Sequence, residues 1–130
     1  MSKTIWGVSA HFHDAGLSVI KDGKIVFGAH SERYSGKKHD KGLHIDMVKE
    51  AMQYGMPDVV AWYEKPWKKN IRKMVTGEYA YVGLEGSPAK YMKQFGITAP
   101  VKTFDHHYSH AAAGAFTGPM NMGTVVVLDA

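Results

Sequence analysis

Three histidines stand close together in the segment DHHYSH, at positions 106, 107 and 110. The segment opens an alanine-rich stretch, which predicts a helix over 106–116 with Asp105 at its N-cap. Residues four apart share a helix face, so His106 and His110 can aim their imidazoles at one metal ion, whereas His107 points elsewhere. Imidazole suits iron or zinc. Spacing alone is equally compatible with a solvated or structural histidine cluster.

Asp129 directly follows the apolar, β-branched run at 124–128, which predicts a strand. A carboxylate at the carboxyl end of a buried strand lies where open α/β sheets bind ligands. Asp129 is therefore a candidate third metal ligand. A capping or turn role explains its position too, and spacing alone favours that role.

Two further polar segments are candidates for binding anions. The glycine-ended turn SAHFHDAG at 9–16 could present backbone N–H groups to phosphate, although an ordinary hairpin connection would look the same and no GxGxxG or Walker pattern is present. In SERYSGKKHD at 31–40, Arg33 and the lysines could grip a phosphate or carbamoyl phosphate. A solvated basic loop is the commoner reason for such a run.

The segments 3–9, 16–21 and 25–29 are rich in β-branched and aromatic residues, which predicts a strand over each. These strands must position the polar segments beside them. Asp22-Gly23 between the second and third is a strong hairpin signal. The sequence therefore predicts three strands in succession, at least the last two of them antiparallel.

The apolar spacing then changes to that of a helix over 43–52, ended by Gly55 and followed by a short buried strand at 58–63. Residues 66–96 contain a basic helical stretch and a second amphipathic piece, and a strand follows at 101–104. A helix between consecutive strands implies a parallel crossover. The expected fold class is α/β, with a mixed sheet of three antiparallel strands followed by parallel crossovers.

Composition bounds what the chain can do. Its 130 residues, 45% hydrophobic and 22% charged, suit one globular domain. The absence of cysteine excludes disulfides and thiolate metal sites, so any transition metal must use the eight histidines and carboxylates. A net charge of +4 comes largely from lysine-rich runs near 37–41 and 65–73, but without interleaved aromatic residues nucleic-acid binding is not expected. The sequence shows no signal-peptide pattern at its start and no apolar stretch long enough to span a membrane. The expected compartment is therefore the cytoplasm.

Taken in order and spacing, five motifs resemble the NodU/CmcH-type O-carbamoyltransferase family: HDAG, DGKIV, SERYSGKKHD, DHHYSHAAAGAF and VVVLDA. The resemblance runs over about residues 5–130 and is weak only over 66–96. It implies the amino-terminal half of an actin-like ATPase domain built of RNase H-like halves, similar to the universal tRNA-threonylcarbamoyl machinery. Residues 123–130 would form the first strand of the second half.

Members of this family use ATP to make carbamoyl-adenylate from carbamoyl phosphate, and they pass the carbamoyl group to a hydroxyl-bearing small molecule. The resemblance therefore implies an enzyme with ATP and a divalent metal, iron or a similar ion, as cofactors. By position it implies His106, His110 and Asp129 as metal ligands, His13 and Asp14 as a pair beside the adenylate, and Lys38, with Arg33 nearby, as contacts to phosphate or carbamoyl oxygens.

The chain also departs from the family pattern. Gly36 stands where the family usually has arginine, so one phosphate contact is expected to be missing. Ala130 stands where a glycine usually follows the aspartate, and the second half of the actin-like domain and a further YrdC-like domain lie beyond the sequence. We therefore expect self-association or pairing with a complementary chain. The alternative is a stand-alone metal- or nucleotide-binding regulatory module without transferase activity.

Overall fold

A mixed five-stranded sheet forms the centre of the chain. The computed structural model describes residues 2–12, 14–75, 87–119 and 121–128, excluding the side chains of residues 72 and 73. The strands are β1 (Thr4–Ser9), β2 (Gly16–Lys21), β3 (Lys24–His30), β4 (Val59–Trp62) and β5 (Val101–Thr103). Their order across the sheet is β3-β2-β1-β4-β5.

The predicted hairpin is confirmed. β2 pairs antiparallel with β3, and Lys21 lies opposite Lys24 across the Asp22-Gly23 turn. Both turn residues have positive φ, 51° and 79°, as a two-residue turn of type I′ requires. β1 also pairs antiparallel with β2, which completes the predicted run of three antiparallel strands.

The predicted parallel crossovers are confirmed as well. β4 pairs parallel with β1, and β5 pairs parallel with β4. The long helix before β4 ends at Gly55, whose φ is 138°. The helices are α1 (Glu32–Ser35), α2 (Ile45–Tyr54), α3 (Pro66–Val75), α4 (Pro88–Lys93) and α5 (His106–Thr117).

The core lies on one face of the sheet. Alternate residues of β1 and β2 point to it, because successive side chains of a strand face opposite ways. The apolar stripe of α2 and the segment around α4 cover this face. The core members with 0% exposed surface are Trp6, Val19, Met47, Val48, Ala51, Val60 and Met92.

Most of the candidate site residues lie at one edge of the sheet. β1, β3, β4 and β5 run in the same direction, so their carboxyl ends meet there. The β1–β2 loop at 10–15, the segment after β3 and the starts of α3 and α5 therefore lie along this edge. In open α/β sheets this is the edge at which ligands bind.

The strand predicted over 124–128 does not form in this structure. Residues 123–128 have no regular secondary structure, and Val126 and Leu128 are 73% and 92% exposed. A strand needs a neighbour to satisfy its backbone N–H and C=O groups, and none of the described strands pairs with this segment. Its assignment to the start of a second half-domain stays a prediction. Among the described helices, none has the length and apolar character needed to cross a membrane.

Candidate functional site at the carboxyl edge of the sheet

The predicted pair of histidines converges. His106 and His110 occupy the first and second turns of α5, and their Nε2 atoms lie 3.1 Å apart. Their rings meet edge to face, while exposed His107 lies on a neighbouring part of the helix surface. The i, i+4 spacing thus produces the juxtaposition that the sequence predicted.

The donor set of this pair fits a transition metal. Two nitrogens each about 2.1 Å from one ion, at bond angles of about 90–109°, would be about 3.0–3.4 Å apart. The observed 3.1 Å separation of His106 Nε2 and His110 Nε2 falls in that range, and a hydrogen bond between two neutral imidazoles has the same length. Asp129 lies outside the described residues. Among the residues described, no group of three or more histidine and carboxylate side chains converges on one point.

Asp14 lies in the β1–β2 loop and faces the segment after β3. Its Oδ1 is 3.1 Å from Nδ1 of His39, and both residues have φ of 56°. His11 in the same loop also has positive φ, 69°. Such strained backbone at non-glycine residues costs about 1–3 kcal/mol each and tends to cluster at functional sites. A carboxylate beside an imidazole can fix its tautomer and its orientation.

Two backbone hydrogen bonds join these segments. His11 N–H donates to the Lys41 carbonyl at 2.8 Å, and Ala15 N–H donates to the Asp40 carbonyl at 2.7 Å. The predicted phosphate-contacting residues, Arg33 on α1 and Lys38 after it, are both exposed at this edge. His13, the predicted neighbour of Asp14, lies outside the described residues. The structure therefore brings Asp14 to His39 and leaves the two long cationic side chains facing solvent.

A cleft of about 420 Å³ lies beside the histidine pair. A buried ion pair forms part of its wall: Lys69 Nζ is 3.0 Å from Glu64 Oε1, and the side chains are 5% and 10% exposed. The Tyr63 hydroxyl donates to the same Glu64 oxygen at 2.7 Å. The lining residues are Glu64, Lys65, Lys68, Lys69, Asp105, His106 and His107.

Asp105 occupies the N-cap position of α5, as predicted, but its side chain makes no capping hydrogen bond. The carboxylate instead accepts hydrogen bonds from Lys65 Nζ at 2.8 Å and from Lys68 Nζ. These two ammonium groups lower the pKa of Asp105 to about 2. Two cations compete successfully with the backbone N–H groups for this carboxylate, so Asp105 joins α5 to α3.

Ser109 and Tyr63 add a second link to α5. Ser109 Oγ donates to the Tyr63 carbonyl at 2.8 Å, and the Tyr63 ring packs edge to face on His106 with centroids 5.8 Å apart. The residue after β4 therefore contacts the helix that carries the histidine pair.

Sequence reasoning missed Glu64, Tyr63 and the function of the nearby lysines. Glu64 follows β4 almost directly, which is the same signal that singled out Asp129 at the end of its apolar run. Lys65, Lys68 and Lys69 have i, i+3, i+4 spacing and so share a helix face. The sequence showed them only as part of a basic run, because their carboxylate partners include a residue 40 positions away.

Comparisons with known proteins agree with the resemblance noted from the motifs. One curated relative, an uncharacterized protein of Synechocystis sp. (strain ATCC 27184 / PCC 6803 / Kazusa), is 26% identical over 153 aligned residues that include 96% of this chain. The chain spans about a quarter of that relative's length, 25%.

The family model described as carbamoyltransferase N-terminus matches residues 4–79. The matched region includes β1 to α3 and ends before the histidine pair. Since it covers more than half of the 130 residues, the chain belongs to the carbamoyltransferase N-terminus family.

Proposed function

We propose that this chain supplies the amino-terminal part of an ATP-dependent O-carbamoyltransferase. Water would release phosphate from carbamoyl phosphate, and the resulting carbamate oxygen would attack the α-phosphate of ATP and expel pyrophosphate to give carbamoyl-adenylate. The enzyme would then transfer the carbamoyl group to a hydroxyl of a small-molecule acceptor. Family membership supports carbamoyl transfer. The observation that carries the proposal is that the β1–β2 loop, the segment after β3 and the helix of the His106–His110 pair all follow the carboxyl edge of one sheet.

The proposed domain is one half of an actin-like ATPase fold of the RNase H-like type. Three antiparallel strands followed by two parallel ones, in the order β3-β2-β1-β4-β5, support this assignment. Residues 123–130 would begin the second half and gain their strand neighbours there. The exposure of Val126 and Leu128 supports that placement, because apolar side chains favour burial.

In the proposed reaction the acceptor oxygen attacks the carbamoyl carbon of the adenylate. The bond from that carbon to the phosphate oxygen breaks, AMP leaves with the electron pair, and the hydroxyl proton passes to a base. Asp14, with His13, would lie beside the adenylate, and Lys38 and Arg33 would contact its phosphate or carbamoyl oxygens. The place of Lys38 and Arg33 at the carboxyl edge supports their roles, since positive charge there stabilises developing negative charge.

The proposed metal site consists of His106 and His110 from this chain, with Asp129 as a third ligand. The 3.1 Å separation of the two imidazole nitrogens supports one shared ion. A bound divalent ion, iron by resemblance, would supply Lewis-acid polarisation of an oxygen on the transferred group. The two imidazoles would have to be neutral to bind it, so the site would weaken in acid.

A complete enzyme would need more protein than this chain contains. The chain spans 25% of the relative that it matches, and we propose that the remainder, in the same or a complementary polypeptide, carries acceptor recognition. Self-association is the other arrangement that would cover the exposed apolar residues of the segment at 121–128. The proposed compartment is the cytoplasm.

Complementation tests this function. The chain would be mixed with a separately expressed remainder of the Synechocystis relative, and carbamoyl-phosphate-dependent exchange of labelled pyrophosphate into ATP would be measured, because that exchange needs no acceptor. We expect exchange only when both parts are present, and we expect His106→Ala/His110→Ala to abolish it.

A chain that binds metal or ATP but supports no exchange and no transfer with any complementing remainder would favour the alternative function, a stand-alone regulatory module. His107→Ala serves as the matched control for loss of an imidazole on α5.

A further inference from the structure

Three lysines crowd the amino terminus of α3. Lys65 precedes the helix, Lys68 and Lys69 lie in its first turn, and that turn contains no acidic residue. Cations are unfavourable at this end of a helix, because its exposed N–H groups carry partial positive charge. Burial of Lys69 adds a desolvation penalty. Where a sequence accepts such local costs, a functional reason is expected.

Lys69 holds the β1–β2 loop. Its Nζ donates to the His11 carbonyl at 3.0 Å, and the ammonium lies 5.5 Å from the centroid of the Phe12 ring. The N–H of His11 is held from the other side by the Lys41 carbonyl. Both polar groups of this left-handed residue are therefore fixed, which sets the direction of the chain toward Asp14.

Lys65 and Lys68 anchor α5, the helix of His106 and His110, which is called the histidine helix below. Both ammonium groups bind the Asp105 carboxylate, one residue before His106. α5 has no buried residue among its twelve, so apolar packing contributes little to its placement. The polar contacts at its first turn, from Asp105 and Ser109, set where the imidazoles lie.

We propose that the lysine face of α3, formed by Lys65, Lys68 and Lys69, is a positioning element that fixes the β1–β2 loop and the histidine helix relative to one another. Lys69 acts on the loop through the His11 carbonyl, and Lys65 and Lys68 act on α5 through Asp105. The description of the two segments as nucleotide- and metal-binding rests on the proposed function. The positioning role itself rests only on these contacts.

Amide hydrogen exchange on the ¹⁵N-labelled chain tests the positioning role, with His11 and Ala15 reporting on the loop and Ser109 on α5. All three N–H groups donate hydrogen bonds to backbone carbonyls. Lys69→Met should speed exchange at His11 and Ala15 about tenfold more than at Ser109. Lys65→Met/Lys68→Met should instead speed exchange at Ser109 more than at His11 and Ala15.

Two further variants separate positioning from general stabilisation. Lys69→Met leaves the Glu64 carboxylate buried without its ammonium partner, so Glu64→Gln/Lys69→Met is compared as well and should show the same local pattern. Lys65→Arg/Lys68→Arg should restore the exchange rate of Ser109 to that of the unaltered chain. The control Lys24→Met removes an exposed lysine from β3 and should change none of the three.

Equal acceleration at all three reporters, or at none, would overturn the proposal. The same holds if Lys65→Arg/Lys68→Arg behaves like the methionine double variant. These readouts need neither ATP nor a metal, so they decide the positioning role even if carbamoyl transfer by the complemented protein is disproved.

Discussion

Lys69 Nζ lies 3.0 Å from Glu64 Oε1, and this ion pair is buried beneath the carboxyl edge of the sheet. A carboxylate or ammonium in such a place is tolerated only when it is paired and hydrogen-bonded. Here the Tyr63 hydroxyl and the His11 carbonyl complete the pair. The pair thus joins the end of β4, the start of α3 and the β1–β2 loop.

Lys69→Met should lower the free energy of unfolding by about 3–5 kcal/mol at pH 7, because it leaves the Glu64 charge buried and unpaired. Glu64→Gln/Lys69→Met should recover a large part of that loss, since it removes both charges. Urea unfolding followed by circular dichroism measures both values. Equal losses in the single and double variants would contradict the ion-pair interpretation. The exposed control Lys24→Met should change stability by no more than about 0.5 kcal/mol.

Removal of either paired imidazole should weaken metal binding. We expect His106→Ala and His110→Ala each to weaken Co²⁺ binding by about tenfold or more, because each variant removes one ligand of a two-histidine site. His107→Ala should bind as the unaltered chain does, since His107 is exposed beside the pair. Cobalt absorbance on titration provides the measurement. If all three variants bound alike, the pair would be a hydrogen-bonded structural cluster.

Acid should release α5 from α3. The hydrogen bonds from Lys65 and Lys68 lower the pKa of Asp105 from its ordinary 3.8 to about 2. Because the folded value lies below the ordinary one, the contact stabilises the docked helix above about pH 4, and this stabilisation is lost as the pH falls toward 2. Carbon-13 shifts of the Asp105 carboxyl group, read across that range, should titrate near the lower value. In Asp105→Asn the acid-dependent loss of Ser109 amide protection should disappear.

Gly36 should resist substitution for a conformational reason. It ends α1 with φ of 68°, where its N–H donates to the Glu32 carbonyl. A side chain in this left-handed conformation costs about 1–2 kcal/mol. Gly36→Arg, which introduces the residue expected here from the family resemblance, and Gly36→Ala should therefore lose similar stability in urea unfolding. A loss confined to the arginine variant would point to charge instead. Gly28→Ala is the control, since an added Cβ there meets nothing within 4 Å.

The exposed segment at 121–128 should promote association. Val126 and Leu128 are 73% and 92% exposed, and burying such side chains is favourable. Sedimentation velocity over a range of concentrations should show self-association that Val126→Lys/Leu128→Lys weakens. Met56→Lys, at an exposed methionine before β4, should leave the association unchanged. A monomer at all concentrations would contradict the prediction.

Local sequence patterns determined much of the fold. Asp22-Gly23 predicted the hairpin because both residues tolerate positive φ, and the apolar stripe with Gly55 predicted α2 because a helix repeats every 3.6 residues. The i, i+4 spacing likewise predicted that His106 would meet His110. Each of these signals lies within one short stretch of sequence, so it could be interpreted without knowing the rest of the fold.

Only the tertiary structure decided how distant residues combine. The bond from Lys69 to the His11 carbonyl joins residues 58 positions apart, and the Lys65–Asp105 contact joins residues 40 apart. The sequence around Asp105 predicted a helix cap, whereas in the structure its carboxylate binds the ammonium groups of Lys65 and Lys68. The run at 124–128 had the composition of a strand but formed none, because a strand is stabilised by hydrogen bonds to a neighbour and not by its own residues.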